Sequence, residues 1–287
     1  MPELPEVETV RRGLIPALEG QTIVRVEQRR PNLRVPFPSK FVERLTGRTV
    51  TQVSRRAKYI LVHFDNDEVL VVHLGMSGRF KIDGLPLRTA AKNVFAAPAE
   101  LGPHDHVVIE TNGGSRIVFT DHRRFGLMTL IHKREISTHK LLADLGPEPL
   151  TGRFSASVLL AAFDGKRTSV KSALLDQHLV SGLGNIYVCE ALFGAGISPL
   201  RPANSITNAE GSALVLEVKR VLRAAIRAGG STLRDYQKTS GELGYFQHRF
   251  CVYGREDEEC VRRLCRGRVG RITQAGRSTF YCATCQR

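Results

Sequence analysis

The chain has 287 residues, 42% of them apolar, and no stretch approaches the roughly 18–20 consecutive apolar residues that a membrane-spanning helix needs. Lys and Arg number 42 against 28 Asp and Glu, and the net charge of +14 favours a polyanionic partner such as nucleic acid, a merely basic surface being the alternative. The N-terminus lacks the pattern of a secretory signal or transit peptide, so the cytoplasm is the expected compartment.

The first predicted element is a helix over residues 5–19, where apolar residues recur at helical spacing. Pro5 is suited to the first turn, and Pro16 is expected to end or kink the helix. The apolar positions of this helix are Val7, Val10, Leu14 and Leu18.

Short apolar runs with alternating or β-branched residues follow the helix and predict strands. Turn signals such as DND and TNGG join several of them, which favours an antiparallel sandwich over a parallel sheet. Residues 83–103 show no clear period and are predicted to form a long surface loop. The strand runs are TIVRVEQ, YILVHF, EVLVVHL, HVVIET, SRIVFTD and LMTLI.

The pattern changes near residue 150, beyond which helical periodicity dominates. We therefore predict an α+β protein with an N-terminal domain over residues 1–150 and a helical domain over 151–245. Residues 246–287 are predicted to form a third, cysteine-rich module. The predicted helices lie around 155–163, 169–177, 185–193 and 207–228.

Four of the six cysteines fall in the last 28 residues, in the pattern Cys-x4-Cys-x16-Cys-x2-Cys. This spacing is close to that of zinc ribbons, in which four thiolates form a closed tetrahedral site for one structural Zn²⁺. The alternative is four free thiols. Cys251 is near enough to compete as a ligand, whereas Cys189 is expected to be a small buried side chain. The expected ligands are Cys260, Cys265, Cys282 and Cys285.

The first residues, MPELPEVET, combine a potential nucleophile with two carboxylates. Removal of Met1 would leave the secondary amine of Pro2 as the chain terminus, with a reference pKa of about 8, and such an amine can attack a sugar carbon to form an iminium. Glu3 and Glu6 lie within one turn and could transfer protons there. The alternative is that both carboxylates merely complement the positive end of the helix dipole.

Several motifs, taken in order along the chain, resemble the formamidopyrimidine-DNA glycosylases, which are relatives of the endonuclease VIII enzymes. Leu4 favours the formamidopyrimidine branch, because the endonuclease VIII branch typically carries Gly at that position. The resemblance spans nearly the whole chain. Its motifs are MPELPEVET, RRAKY around Lys58, HLGMSG from His73, HDH from His104, RRFG from Arg123, GLGNIY from Gly182, VYGR around Tyr253, and GRSTFYCATCQ near the end.

The resemblance implies an N-terminal helix and antiparallel β-sandwich, then a helix-two-turn-helix domain with a β-hairpin zinc finger, and duplex DNA in a basic cleft. It also implies a monomeric base-excision-repair enzyme of the bacterial cytosol. The expected substrates are oxidised purines, chiefly 8-oxoguanine opposite cytosine and ring-opened formamidopyrimidines. An endonuclease VIII-like specificity for oxidised pyrimidines and a lesion-binding homologue without activity are the alternatives.

By the same resemblance, Pro2 attacks C1′ of the damaged nucleotide, expels the base and forms a Schiff base, after which β and δ elimination cleave the strand. Glu3 would donate the proton in glycosidic cleavage, and Glu6 would assist near the nucleophile. Lys58 would be the donor in β-elimination, and Arg277 would serve δ-elimination. The intact set of Pro2, Glu3 and Lys58 argues against a homologue that only binds.

A base inside a stacked duplex cannot be reached, so the nucleotide must be extruded and the hole filled. Met76, Arg123 and Phe125 match the family's void-filling residues: an apolar wedge, a guanidinium that can hydrogen-bond the estranged cytosine, and an aromatic plane. Without the surrounding motifs, core packing of Met76 and Phe125 and a surface ion pair of Arg123 would be the simpler interpretations.

Phosphate contacts are predicted on both sides of the boundary near residue 150. Asn185 could equally be the N-cap of the helix that it begins, and the two roles are compatible. Lys171 is expected at the edge of the lesion pocket. The expected contacts around the flipped nucleotide are Lys58, His73, Asn185, Tyr253 and Arg277, with His104 and Lys166 on the flanking DNA.

Two features depart from the family pattern. The first cysteine pair is separated by four residues where the family usually has two, which puts the geometry of the finger in question. The segment before His104 is about a dozen residues longer than motif spacing in typical relatives indicates, and a tolerated surface insertion is the expected explanation.

Overall fold

The computed structural model describes most of the chain. The surface loop predicted over residues 83–103 falls largely outside the described residues. Among the helices described, none is long and apolar enough to cross a bilayer. The described residues are 1–84, 100–231, 239 and 244–287.

The chain folds into two units. The N-terminal unit comprises Met1–Ala143 together with Gly229–Gly244, and the C-terminal unit comprises Asp144–Ala228 together with Tyr245–Arg287. Gly229–Gly244 thus belong to the N-terminal unit, whereas the sequence prediction includes them in the helical domain over residues 151–245.

The first helix, α1, spans Leu4–Leu18 and confirms the helix predicted over residues 5–19. Pro5 lies in the first turn, where its missing N–H needs no partner. Pro16 lies inside the last turn, and the helix ends at Leu18. The apolar face of α1 is buried and consists of Leu4, Val7, Val10, Leu14, Ala17 and Leu18.

Two four-stranded antiparallel sheets form a sandwich in the N-terminal unit, as predicted. One sheet has the strand order β1-β6-β7-β5 and the other has the order β2-β3-β4-β8. Six of these strands coincide with predicted runs. The strands are β1 (Ile23–Gln28), β2 (Val50–Arg56), β3 (Tyr59–Phe64), β4 (Glu68–His73), β5 (Arg79–Asp83), β6 (Asp105–Thr111), β7 (Arg116–Thr120) and β8 (Leu127–His132).

Three elements of the N-terminal unit are absent from the sequence prediction, and each buries few apolar residues. Strands β2 and β5 lie at sheet edges, where most of their side chains remain at least partly exposed, so neither shows a continuous apolar run. Helix α2 (Phe41–Leu45) has only five residues, which is too short for a helical period to be recognised.

Two crossings between the sheets of the sandwich lie side by side. Strand β4 leads through residues 74–78 into β5 of the other sheet, and β7 leads back through residues 121–126 into β8. The crossings begin and end at paired residues, because His73 pairs with Leu127 and Arg79 pairs with Thr120. Residues 74–78 and 121–126, here called the first and second crossing loops, are therefore held next to each other.

Four helices form the core of the C-terminal unit, and all four coincide with predicted helices. Helix α5 is buried on almost every side and lies at the centre of this core, whereas α6 buries one face only. Side chains of Ser155, Ser169 and Thr207 cap the other three helices. The helices are α3 (Ala156–Phe163), α4 (Val170–Leu175), α5 (Asn185–Ala195) and α6 (Asn208–Arg227), and short 3₁₀ turns lie at Lys133–Glu135, Ala203–Ser205 and Phe246–Arg249.

The chain ends in an antiparallel hairpin of β9 (Val269–Gln274) and β10 (Arg277–Cys282). Ala275 and Gly276 form its two-residue turn, and both have positive φ, which is the conformation that tight hairpins of this length require. The prediction of an α+β protein with a helical second half and a terminal hairpin is thus confirmed.

Candidate active site and nucleic-acid interface

The start of α1 is held by the carboxylate of Glu6. Its Oε2 accepts a hydrogen bond of 2.9 Å from the backbone N–H of Glu3, as in a capping box. Its Oε1 accepts from both the N–H (2.8 Å) and the hydroxyl (3.0 Å) of Ser231. Glu3 and Glu6 are only 3% and 2% exposed. Glu6 therefore fixes the backbone next to Pro2, which is also buried.

A second acidic residue of α1, Glu8, joins the helix to the sandwich. Its carboxylate accepts hydrogen bonds from Arg11 and Arg12 on the same helix and from Arg55 on β2. Burial alone would raise the pKa of Glu8, but the hydrogen bonds from Arg11 and Arg12 outweigh it and lower the pKa to about 2. The cluster is ionised at neutral pH and ties α1 to the strand that leads to Lys58.

Lys58 lies in the tight turn between β2 and β3. Helix α1 packs against both of these strands. The preceding residue, Ala57, has a positive φ of 52°, and its carbonyl accepts a hydrogen bond of 2.8 Å from Arg55. This turn leaves Lys58 only 7% exposed. The residues predicted for proton transfer, Glu3 and Lys58, are thus both buried in the N-terminal unit.

His73, at the end of β4, is held as a neutral hydrogen-bond donor. Its Nδ1 accepts from the N–H of Gly75 at 3.0 Å, which leaves the ring proton on Nε2. Burial lowers the pKa of His73 to about 4, and the positive charges of Lys58 and Arg34 act in the same direction. Its ring packs against Tyr59 with 5.0 Å between centroids. A neutral Nε2–H can still donate to a phosphate oxygen.

A basic cleft of about 570 Å³ opens beside His73 in the N-terminal unit. Its lining combines aromatic rings with cationic side chains, and none of the lining residues in the described part of the chain is acidic. Such a lining suits a strand with stacked bases and phosphates. The lining residues are Arg34, Val35, Tyr59, His73, Phe125, Leu127, Thr129, His139, Lys140 and Leu141.

The three predicted void-filling residues lie on the two crossing loops. Met76 is on the first loop and is partly buried, whereas Arg123 and Phe125 are on the second and are exposed. The Arg123 guanidinium lies over the Phe125 ring, 4.9 Å from its centroid. Phe125 is 45% exposed, so core packing does not explain its place in the sequence. The structure therefore presents a cation and an aromatic plane to solvent.

His104 lies just before β6 and is exposed. Its ring meets that of His122 edge to face at 6.1 Å, and its carbonyl accepts a hydrogen bond from the N–H of Asp121 at 2.9 Å. His104, the residue predicted to contact the flanking DNA, is thus in contact with two residues of the second crossing loop.

In the C-terminal unit, Lys171 is fully buried against the hairpin. Its Nζ donates to the Ser278 carbonyl at 3.2 Å and to the Thr279 hydroxyl at 2.6 Å. Burial lowers the pKa of this ammonium group. Lys171, predicted at the edge of the lesion pocket, thus hydrogen-bonds the backbone of the residue that follows Arg277.

Asn185 donates through Nδ2 to the same Ser278 carbonyl at 2.8 Å, while its buried Oδ1 accepts no hydrogen bond from the described residues. The interpretation of Asn185 as an N-cap is wrong. Gly184 is the N-cap of α5, and Asn185 is the first helical residue, with its side chain directed to the hairpin. The predicted phosphate contact by Asn185 stays a prediction.

Tyr253 is positioned by the buried carboxylate of Glu190, which is not among the predicted site residues. Glu190 of α5 accepts hydrogen bonds of 2.8–3.0 Å from the N–H groups of Cys251, Val252 and Tyr253. The Tyr253 ring packs against Phe280 of β10 at 5.0 Å. The only sequence signal of Glu190 is its position as an acidic residue within the apolar stretch of α5.

Arg277 and Lys166 are both exposed in the C-terminal unit. Arg277 is the first residue of β10, immediately after the hairpin turn, so its backbone is fixed while its guanidinium remains accessible. Lys166 follows the end of α3. Both side chains can reach a phosphate backbone without breaking any contact of the core.

The four C-terminal cysteines form one cluster, with all Sγ atoms within 4.8 Å of one another. The Cys260–Cys285 and Cys265–Cys282 Sγ separations are 3.6 and 3.8 Å. A tetrahedron with metal–sulfur bonds of about 2.3 Å has edges of about 3.8 Å, so the four thiolates fit Zn²⁺. Cys251 is not a member of this group.

The longer first cysteine pair forms an exposed turn and leaves the cluster intact. Leu264 adopts a positive φ of 69° and is 94% exposed. Arg262 anchors the turn, because its guanidinium donates to the carbonyls of Phe193 and Gly194 at the end of α5. The four-residue spacing is therefore accommodated in a turn with an exposed tip, and the four Sγ atoms still form one cluster.

Comparison with known proteins agrees with the motifs and the fold. The formamidopyrimidine-DNA glycosylase N-terminal domain matches residues 1–128, and the formamidopyrimidine-DNA glycosylase H2TH domain matches residues 145–237. The chain belongs to the formamidopyrimidine-DNA glycosylase family. Curated relatives of that name in Ruegeria sp. (strain TM1040) and Ruegeria pomeroyi are 56% and 57% identical over 287 residues, covering 100% of both chains.

Solved structures of formamidopyrimidine-DNA glycosylases share this fold. The MutM (Fpg) protein from Thermus thermophilus is 38% identical with a TM-score of 0.84, covering 99% of this chain and 98% of that one. The Lactococcus lactis Fpg in complex with DNA containing an abasic site is 32% identical with a TM-score of 0.86, covering 100% of both chains.

Proposed function

We propose that this chain is a bifunctional DNA glycosylase and abasic-site lyase that removes 8-oxoguanine and formamidopyrimidines from duplex DNA. The observation that carries the proposal is the arrangement of the N-terminal unit: Pro2 and Glu3 directly precede α1, which packs against the two strands that flank Lys58. The Lactococcus lactis relative, in a variant form, has been solved with DNA containing Fapy-dG, which supports the lesion class.

The proposed reaction begins with the neutral amine of Pro2, freed by removal of Met1. Its lone pair attacks C1′, the base leaves with the electrons of the C1′–N bond, and the proton lost from the Pro2 nitrogen passes to the departing base. Glu3 donates a proton to the sugar oxygen O4′ as the C1′–O4′ bond opens, which leaves an iminium between Pro2 and C1′. Glu6 holds the backbone of Glu3 during these steps through the hydrogen bonds described above.

Strand cleavage follows from the iminium. Loss of a proton from C2′ expels the 3′ phosphate, and Lys58 serves this β-elimination. Loss of a proton from C4′ then expels the 5′ phosphate, and Arg277 serves this δ-elimination. Both residues are cationic, which suits stabilisation of phosphate leaving groups.

The four clustered cysteines are proposed to hold one structural Zn²⁺. Bound zinc supplies folding free energy to a hairpin too small to form a core of its own, and that hairpin presents Arg277. The proposed partner is double-stranded DNA with oxidised bases or abasic sites, bound by a monomer in the cytoplasm.

Three duplexes with identical flanking sequence test the lesion class: 8-oxoguanine opposite cytosine, formamidopyrimidine opposite cytosine, and 5-hydroxycytosine opposite guanine. We expect a higher kcat/KM on both purine lesions and a gap with phosphate at each end. A preference for the oxidised pyrimidine would favour an endonuclease VIII-like enzyme. Binding of all three without cleavage would favour a homologue that only recognises lesions.

Glu3→Gln tests the proposed proton donor, because it keeps the size of the side chain and removes its acidic proton. We expect this variant to bind the lesion duplex as the wild type does and to lose base excision. Equal excision by both proteins would remove Glu3 from the proposed mechanism.

A further inference from the structure

The buried carboxylate of Asp121 joins the two crossing loops. Asp121 is 0% exposed and follows the last residue of β7. Its Oδ1 accepts a hydrogen bond of 2.5 Å from the hydroxyl of Ser77 on the first loop. Its Oδ2 accepts a hydrogen bond of 2.8 Å from the N–H of Gly126 on the second loop. One side chain therefore connects segments 44 residues apart in the sequence.

The hydroxyl of Ser77 extends this connection to the backbone of Arg123. While it donates to Asp121, its oxygen accepts from the N–H of Arg123 at 3.0 Å. All three predicted void-filling residues are thus adjacent to the same network. Met76 precedes Ser77, Arg123 donates to it directly, and Phe125 precedes Gly126.

The backbone packing leaves little freedom around this carboxylate. A Cβ at Gly126 would come within 2.8 Å of Asp121 Oδ2, and a Cβ at Gly75 would come within 2.3 Å of the Phe125 backbone. The Asp121 carbonyl also bonds His106 Nε2 at 2.8 Å, inside the sandwich. The loops are therefore in direct contact, and Asp121 also connects them to the interior of the sandwich.

We propose that Asp121 is a positioning residue that sets the relative placement of Met76, Arg123 and Phe125, and so determines discrimination of the base opposite the lesion. The inference rests on the proposed function, because it assumes that these three side chains enter the duplex. The two oxygens of the carboxylate each accept from a different loop, and an amide cannot accept on both atoms. Asp121→Asn must therefore release one loop or reorganise the Ser77 hydroxyl.

The test compares excision of 8-oxoguanine opposite cytosine with excision opposite adenine. We expect Asp121→Asn to lower kcat/KM opposite cytosine by about tenfold or more, the effect of losing one hydrogen bond to a charged group, and to bring the ratio between the two duplexes toward one. Cleavage of an abasic site in single-stranded DNA has no void to fill, and we expect it to stay at the wild-type rate.

Asp105→Asn is the matched control. The Asp105 carboxylate is also buried and also accepts from one hydroxyl, that of Thr120, and from one glycine N–H, that of Gly102. It contacts neither crossing loop, so we expect this variant to keep the ratio even if it is less stable. Ser77→Ala, which removes only the bridging hydroxyl, carries the test if Asp121→Asn does not fold.

Fluorescence provides a readout without chemistry. A duplex with a tetrahydrofuran site opposite 2-aminopurine reports entry of side chains into the void, and we expect the wild-type increase to be reduced in Asp121→Asn and Ser77→Ala. Wild-type ratios and wild-type fluorescence in both variants would overturn the inference while leaving the proposed function intact. If the wild type gives no fluorescence increase, its side chains do not enter the void and the inference is contradicted. If the wild type gives the fluorescence increase but excises no lesion, only the proposed function is contradicted.

Discussion

Glu6 and Ser231 are 225 residues apart in the sequence, yet one carboxylate oxygen of Glu6 accepts both the N–H and the hydroxyl of Ser231. The other oxygen accepts the N–H of Glu3. The contact brings the segment beginning at Gly229 to the start of α1 within the N-terminal unit. Glu6 therefore does more than complement the helix dipole: its carboxylate holds two distant backbone segments together beside Pro2, the proposed nucleophile.

Replacing Glu6 by Gln should destabilise the N-terminal unit. An amide offers one accepting oxygen, so either the N–H of Glu3 or the donors of Ser231 lose their partner, at a cost of about 1–3 kcal/mol. Urea unfolding measures the change. Ser231→Ala removes only one hydroxyl and should cost less, and a Glu6→Gln variant as stable as the wild type would contradict the structural role.

The ionised carboxylate of Glu8 should make the free energy of unfolding depend on pH in the acid range. The pKa of Glu8 is about 2 in the fold against 4.5 ordinarily, so its contribution is fully present above pH 4.5 and is lost as pH falls toward 2. Glu8→Gln should flatten the fall in stability across this window, measured by urea unfolding at successive pH values. Glu27→Gln, at an exposed pair with Arg25, is the control and should leave the profile unchanged.

His73 should remain neutral throughout the physiological range. Its pKa of about 4 lies below the ordinary 6.5, so protonation favours the unfolded chain, and stability falls as pH drops from 6.5 toward 4. Long-range ¹H–¹⁵N spectra should show the tautomer with the proton on Nε2 and no titration between pH 6 and 8. A midpoint near 6.5, or a proton on Nδ1, would contradict the hydrogen bond from Gly75.

One zinc ion per chain should be found by mass spectrometry of the purified protein. Cys282→Ala removes one of four thiolates from a buried position and should lose both the metal and binding of lesion duplex, because the hairpin that presents Arg277 no longer folds. Cys251→Ala lies outside the cluster and should retain both. Full zinc content in Cys282→Ala would contradict the assignment of Cys282 as a required ligand.

The sequence predicts most of the fold because periodicity reports burial. The predicted α1 and the inner strands bury continuous apolar faces, and the cysteine spacing marks the metal cluster. Edge strands β2 and β5 escape prediction because their side chains are mostly polar or partly exposed. Strand β1 is also an edge strand with few buried residues, but its apolar, β-branched run makes it recognisable.

The supporting carboxylates could not be predicted for a different reason. Glu190 accepts from backbone groups 61–63 residues away, and Asp121 accepts from a hydroxyl 44 residues away. Backbone N–H groups carry no residue signature, and a single serine distant in the sequence forms no motif with the carboxylate that it contacts. The same limit explains Asn185, whose side chain bonds a carbonyl 93 residues away and does not cap its own helix.

The central claim is a covalent bond between the Pro2 nitrogen and C1′ of the damaged nucleotide. Borohydride reduction during reaction with an 8-oxoguanine duplex should trap this bond, and peptide mass spectrometry should place the adduct on Pro2 in protein that has lost Met1. Protein that retains Met1 should give no adduct and no excision. Undiminished excision with the Pro2 nitrogen still acylated by Met1, or an adduct on a lysine only, would contradict the account.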